Sequence, residues 1–103
     1  MGVTANKRIV AFPDLPTIAE SGLPGFDIST WFGLMAPAGT PPDVVAKWNA
    51  DVVKILNSPD MREKLTAQGA EAAPDTPAEF SAFIGRELAK YARIVKVSGA
   101  KVD

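Results

Sequence analysis

Ile28, Trp31, Phe32, Leu34 and Met35 crowd into the stretch Asp27–Met35 as a short apolar, aromatic-rich run. Such a run predicts a strand covered on both faces. Pro37 and Gly39 close it, and the pattern then changes to a helical one. Val45, Trp48, Val52, Ile55 and Leu56 fall on one face at a 3.6-residue period, with Lys47, Asp51 and Lys54 elsewhere, which predicts an amphipathic helix from Pro41 to about Asn57. Thr40 offers an N-cap hydroxyl, Pro41 suits the first helical position, and Asp43 completes a Thr-x-x-Asp pattern. Strand, short loop and helix make half of a βαβ unit.

The same start recurs twice. Ser58-Pro59 opens a shorter helix, Asp60–Gln68, with Met61 and Leu65 inward and Gly69 as its stop. Thr76-Pro77-Ala78-Glu79 is a full capping box, and its helix is the longest, running to about Ser98 with Gly99 beyond. Phe80, Ile84, Leu88, Tyr91 and Val95 line one side of it, broadened by Phe83 and Ile94. Glu79 near its start and Lys90, Arg93 and Lys96 near its end suit the helix dipole. The starts at 40, 58 and 76 are evenly spaced, but the segments between them do not match, so they are not a repeat.

Before residue 27 the chain is mostly loop. Met1–Thr4 reads as the end of a strand, Phe12–Pro16 as a proline-biased loop, and Thr17–Ser21 as about one helical turn stopped by Gly22. Leu23-Pro24-Gly25 has the chemistry of a type II turn. Ala70–Ala73 suits a brief edge strand, and Val102 one further strand residue. The expected class is α/β, with few short strands and three main amphipathic helices in a single unit.

Charge and composition narrow the function mainly by exclusion. The chain has 103 residues, eleven basic and twelve acidic, for a net charge of −1. No basic stripe marks a nucleic-acid surface. Cysteine and histidine are both absent, which removes disulfides, thiolate chemistry, an imidazole base and the usual zinc sets. The first ten residues contain no apolar signal-peptide core, and no window approaches the ~20 apolar residues of a membrane span.

No catalytic constellation can be written. Ser21 and Ser29 have no histidine to activate them, and Asp43 and Glu79 are explained by capping. Lys7 and Arg8 read as a solvated loop rather than an anion clamp. Gly33, Gly39 and Gly69 form no phosphate-cradling pattern. Trp31 and Phe32 are adjacent, so in a strand they point to opposite faces. One enters the core and the other is free to face a cleft, although the favoured reading packs both in the core.

The stretches A-N-K-R…F-P-D-L-P-T-I-A-E-S-G-L-P-G-F and S-T-W-F-G-L-M-A-P-A-G-T-P-P-D-V-V resemble the C-terminal third of the extracytoplasmic receptors of tripartite tricarboxylate transporters, the Bug or TctC-type solute-binding proteins. The segments L-N-S-P-D-M-R-E-K-L-T-A-Q-G-A-E and T-P-A-E-F-S-A-F-I-G-R-E-L-A-K-Y-A-R-I-V-K-V-S-G-A-K-V-D continue the likeness to the last residue. The resemblance implies a fragment of a two-lobed, Venus-flytrap periplasmic-binding-protein fold. Residues 1–26 would end the second lobe, 27–36 would be a crossover strand, and 37–103 would be the C-terminal helical part.

It further implies a periplasmic receptor that closes over a small carboxylate and hands it to a membrane permease, with no metal, no cofactor and no covalent chemistry. Ser29, Thr30, Trp31 and Phe32 are the ligand-binding candidates on this chain. The rival reading is a free-standing, oligomerising protein-interaction module. On either reading the exposed stripes lead us to expect a homo-oligomer of the chain by itself, with Phe80, Phe83, Ile84, Leu88 or Tyr91 in the interface.

Overall fold

In a computed structural model, which describes Met1–Lys101, the chain folds as an irregular N-terminal segment followed by three helices: α1 (Pro42–Leu56), α2 (Pro59–Ala67) and α3 (Pro77–Ser98). Val102, expected as a strand residue, lies outside the described residues.

The helix starts follow from their capping residues. At α3 the Thr76 hydroxyl accepts from the Glu79 amide at 3.1 Å and lies 3.1 Å from the Glu79 carboxylate, to which it donates. Gly99 ends the helix in the left-handed conformation at φ 70°, where a Cβ would be strained. At α2 the Ser58 side chain accepts from the Met61 amide. The start of α1 differs from expectation by one residue. Pro42 disfavours helical geometry in the residue before it, so Pro41 sits outside the helix at ψ 137° and Pro42 takes the first position. The Thr40 hydroxyl consequently points backward, donating to the Pro37 carbonyl at 2.7 Å rather than capping α1.

Strand structure is sparse. Among the described residues the one β-bridge is parallel, between Val3 and Thr17. Val3 donates to the Pro16 carbonyl and accepts from the Ile18 amide, while the Thr4 carbonyl accepts from Ile28. The expected strand end at Met1–Thr4 is thus reduced to one rung on each side. The expected turn at Leu23–Phe26 is present, closed by the Phe26 amide on the Leu23 carbonyl at 3.1 Å with Gly25 at φ 80°. The single turn at Thr17–Ser21 forms as well.

The strand expected over Asp27–Met35 does not form. Residues 27–36 lie in no helix, strand or turn, and from Ser29 to Ala36 no backbone–backbone hydrogen bond is made among the described residues. A strand exists only through its neighbours, and none is present here. Ala70–Ala73 likewise forms no edge strand.

Packing stops short of a core. α1 packs against both α2 and α3, yet no hydrophobic residue is fully buried among those described. On α1, Val45, Val52 and Leu56 are half-buried, whereas Trp48, expected inward, is 65% exposed and Ile55 is also outward. On α3 the first half packs through Phe80, Phe83 and Ile84, while Leu88, Tyr91, Ile94 and Val95 face out.

The accessible surface is 8465 Å², against about 5,600 Å² for a compact monomer of this mass. The radius of gyration is 16.5 Å, against about 13 Å for a compact hundred-residue domain. The apolar stripes are therefore built for surfaces that this chain does not itself supply.

Candidate functional site

The segment from Asp27 to Ala36 is held to the helices at two points. At its start the Lys90 ammonium, half-buried on α3, donates to the Asp27 carbonyl at 2.8 Å and is steadied by Glu87 at 3.0 Å. Further along, the Trp31 indole meets two rings of α3 edge-on. Its centroid lies 5.7 Å from Phe80 at 82° and 5.1 Å from Phe83 at 77°. Edge-to-face pairs of this kind add about 0.5–1.5 kcal/mol each beyond the area they bury.

Gly33 completes the contact. A Cβ built there would lie 2.7 Å from Phe80 Cε2 and closer still to Cζ, so the backbone presses directly onto the ring and tolerates no side chain. The need for glycine here comes from close approach rather than from backbone conformation.

This grip sorts the four sequence candidates. Trp31 is half-buried and turned toward α3, whereas its neighbour Phe32 is 92% exposed. Ser29 and Thr30 are also exposed, and among the described residues neither hydroxyl has a protein hydrogen-bond partner. Two uncommitted hydroxyls beside an exposed ring form a surface that can donate to an anion and lie against an apolar chain. Next to it, an open groove of ≈ 920 Å³ runs between Leu23–Ile28 and the second half of α3, with Arg86, Lys90 and Arg93 along one side. A smaller depression near Asn49 and Thr76 is tied across by the Asn49 amide, which donates to the Asp75 carbonyl at 2.8 Å.

The N-terminal motif forms a separate knot. Arg8, read from the sequence as part of a solvated loop, instead donates through Nε and Nη2 to the Glu20 carboxylate at 3.0–3.2 Å, and through Nη1 to the Pro13 carbonyl. The same carboxylate accepts the Thr17 amide at 2.8 Å, and the Thr17 hydroxyl accepts the Glu20 amide at 3.0 Å. Hydrogen bonding by the Arg8 guanidinium, with help from the Thr17 amide, holds Glu20 down at about 2, and the pairing raises Arg8. Thr17, only 1% exposed, anchors the knot. The Thr-x-x-Glu spacing of Thr17 and Glu20 was the available signal for it. The aromatic grip had no comparable signal, because Trp31 and Phe80 are far apart in sequence.

The whole architecture has solved counterparts. It superposes on "R. palustris Rpa4515 with adipate" with a TM-score of 0.78 at 35% identity, covering 96% of this chain and 33% of that one. It superposes on the periplasmic binding protein BugD with a TM-score of 0.76 at 34% identity, covering 97% of this chain and 34% of that one. The fold is therefore that of part of a periplasmic binding protein, a scaffold for capturing solutes.

Residues 1–100 match the tripartite tricarboxylate transporter family receptor, and the chain belongs to that family. Protein BugT of Bordetella pertussis (strain Tohama I) is 36% identical over 102 residues, covering 99% of this chain and 31% of the relative. A protein encoded in the tcbD-tcbE intergenic region of Pseudomonas sp. (strain P51) is 38% identical over 96 residues, covering 92% of this chain and 29% of that relative. The chain spans about a third of the length of these relatives. The family is one of substrate-binding receptors, not of enzymes. No helix among the described residues is long and apolar enough to cross a membrane.

Proposed function

We infer that this chain is the C-terminal part of a periplasmic receptor that captures a small carboxylate and delivers it to the membrane permease of a tripartite tricarboxylate-type transporter. Residues 1–26 close the second lobe, 27–36 cross between lobes, and the helical part from residue 37 returns to the first. Ser29, Thr30 and Phe32 form one wall of the cleft, and Trp31 stands behind them. The hydroxyls donate to a ligand carboxylate and the Phe32 ring covers its hydrocarbon part. A cleft needs both walls, so binding belongs to the intact receptor and not to this chain alone.

The observation that carries the reading is the likeness to a relative whose structure is described with adipate, a dicarboxylate. The test is isothermal titration of the intact receptor with a series of mono-, di- and tricarboxylates, using a sugar and an amino acid as controls. One or more carboxylates should bind, and Phe32→Ala should weaken that binding. A receptor that binds the sugar or the amino acid but no carboxylate refutes the assignment.

A further inference from the structure

We propose that α3 is the splint of the crossover segment, and that Phe80, Phe83 and Lys90 are positioning residues for ligand binding although none of them belongs to the wall. The inference rests on the wall assignment made above for Ser29, Thr30 and Phe32.

Residues 29–36 make no backbone–backbone hydrogen bonds among the described residues, so the direction of each side chain is not set by a ladder. Two contacts on one helix set it instead. Lys90 fixes the Asp27 carbonyl, immediately before the wall begins, and is itself oriented by Glu87, whose side chain is only 13% exposed. Phe80 and Phe83 fix Trp31 from two sides, and the Phe80 ring lies against the bare backbone of Gly33. Ser29, Thr30 and Phe32 are thus bracketed: one anchor precedes them and another surrounds Phe32 on both sides in sequence. With Trp31 turned onto α3, Phe32 is turned away from it, and the two hydroxyls are presented on the stretch between the anchors. Phe80 and Lys90 lie ten residues apart on the one helix α3, about three turns, so the two anchors keep a constant separation.

A wall whose geometry is borrowed from a helix behind it loses affinity when the helix surface is altered, even though the ligand never touches that surface. The experiment uses the intact receptor carrying these residues, with adipate as the probe. Phe80→Leu and Lys90→Met should each weaken adipate binding by about tenfold, the loss of roughly one oriented polar contact. Lys90→Arg, which keeps the donor, should bind within about twofold of the parent, well under the tenfold step that one such contact sets. The ¹⁹F resonance of fluorotryptophan at position 31, assigned by its disappearance in Trp31→Phe, should move in Phe80→Leu. All titrations are run well below each variant's melting temperature, so that a loss of stability alone does not register.

Unchanged adipate affinity in both Phe80→Leu and Lys90→Met overturns the splint, as does an unmoved Trp31 resonance in Phe80→Leu. Phe32→Ala separates the two ideas. If it weakens adipate binding while the splint variants do not, the splint alone falls. If it is neutral while Phe80→Leu weakens binding, the wall reading of Phe32 falls and the splint stands.

Discussion

Leu88→Glu tests the meaning of the uncovered surface. The chain exposes 8465 Å², about 2,900 Å² more than a compact monomer of its mass would. That surplus falls in the range of about 2,000–5,000 Å² buried by obligate interfaces, so the isolated chain should associate with copies of itself. Leu88 is 68% exposed on the outward stripe of α3, near the exposed Tyr91 and Val95. In a symmetric pair the patch is used twice, so two such leucines become covered. Scaling the usual burial value of about 1.5–3 kcal/mol per leucine to the exposed part gives roughly 2–4 kcal/mol for the pair.

Loss of that contribution alone raises the dissociation constant about 30- to 700-fold, and burying two carboxylates adds to it. The substitution leaves α3 intact, since glutamate is a good helix former and the leucine is largely unburied already. Sedimentation velocity at micromolar concentration should show the parent chain as a dimer or larger, and Leu88→Glu shifted toward monomer. X-ray scattering gives the second reading. A parent chain that is monomeric, melts cooperatively and has a radius of gyration near 13 Å instead of the 16.5 Å of the structure would refute the reasoning, because it would mean that the stripes close on one another.

Three further outcomes follow from named contacts. Thr76→Ala strands the Glu79 amide at the start of α3 and should cost about 1 kcal/mol in denaturant unfolding of the intact receptor; a neutral result places the helix start elsewhere. Trp31→Ala removes two edge-on ring contacts and a half-buried indole, which should cost about 3 kcal/mol, toward the low end of aromatic truncations because the ring is not fully enclosed; thermal melting checks it. Glu20, held at about 2 from an ordinary 4.5, contributes stability that is fully present above pH 4.5 and is lost as pH falls through about 2; the NMR shift of the Thr17 amide, which donates to that carboxylate, should titrate near the lower value, and at higher pH in Arg8→Ala.

How far the fold was legible depends on how local its causes are. Ser58 and Thr76 act within three residues of themselves, and Gly99 answers only to the end of its own helix, so α2 and α3 could be placed within a residue or so. Thr40 misled because two adjacent prolines compete for the first position, and the second of them decides. The apolar stripes of α1 and α3 were correctly periodic, but a period states that a face is to be covered and not by what. Trp48 and Leu88 are therefore exposed here despite lying on those stripes. At the candidate site, the strand that would divide Trp31 from Phe32 does not form, and the expectation that both rings pack in the core fails at Phe32, which is exposed. Which ring turned inward was set by Phe80 and Phe83, some fifty residues on, beyond the reach of any local rule.

The failure of Asp27–Met35 to form a strand and the cleft-wall role proposed for it have one physical cause. A segment inside a finished sheet has its amides, carbonyls and hydroxyls satisfied by its neighbours, and nothing remains to meet a ligand. Here the groups from Ser29 to Ala36 are free of backbone partners, and the hydroxyls of Ser29 and Thr30 are unclaimed among the described residues. Apolar composition written for two-sided cover therefore coexists with polar groups that lack bonds. On the proposed reading both needs are met from the far side, by backbone from the rest of the receptor and by a bound solute. α3 supplies what cannot be left to either, a fixed direction for the segment before they arrive. In the proposed receptor, the cleft then orders on closing without first having to choose how Trp31 and Phe32 divide between helix and ligand.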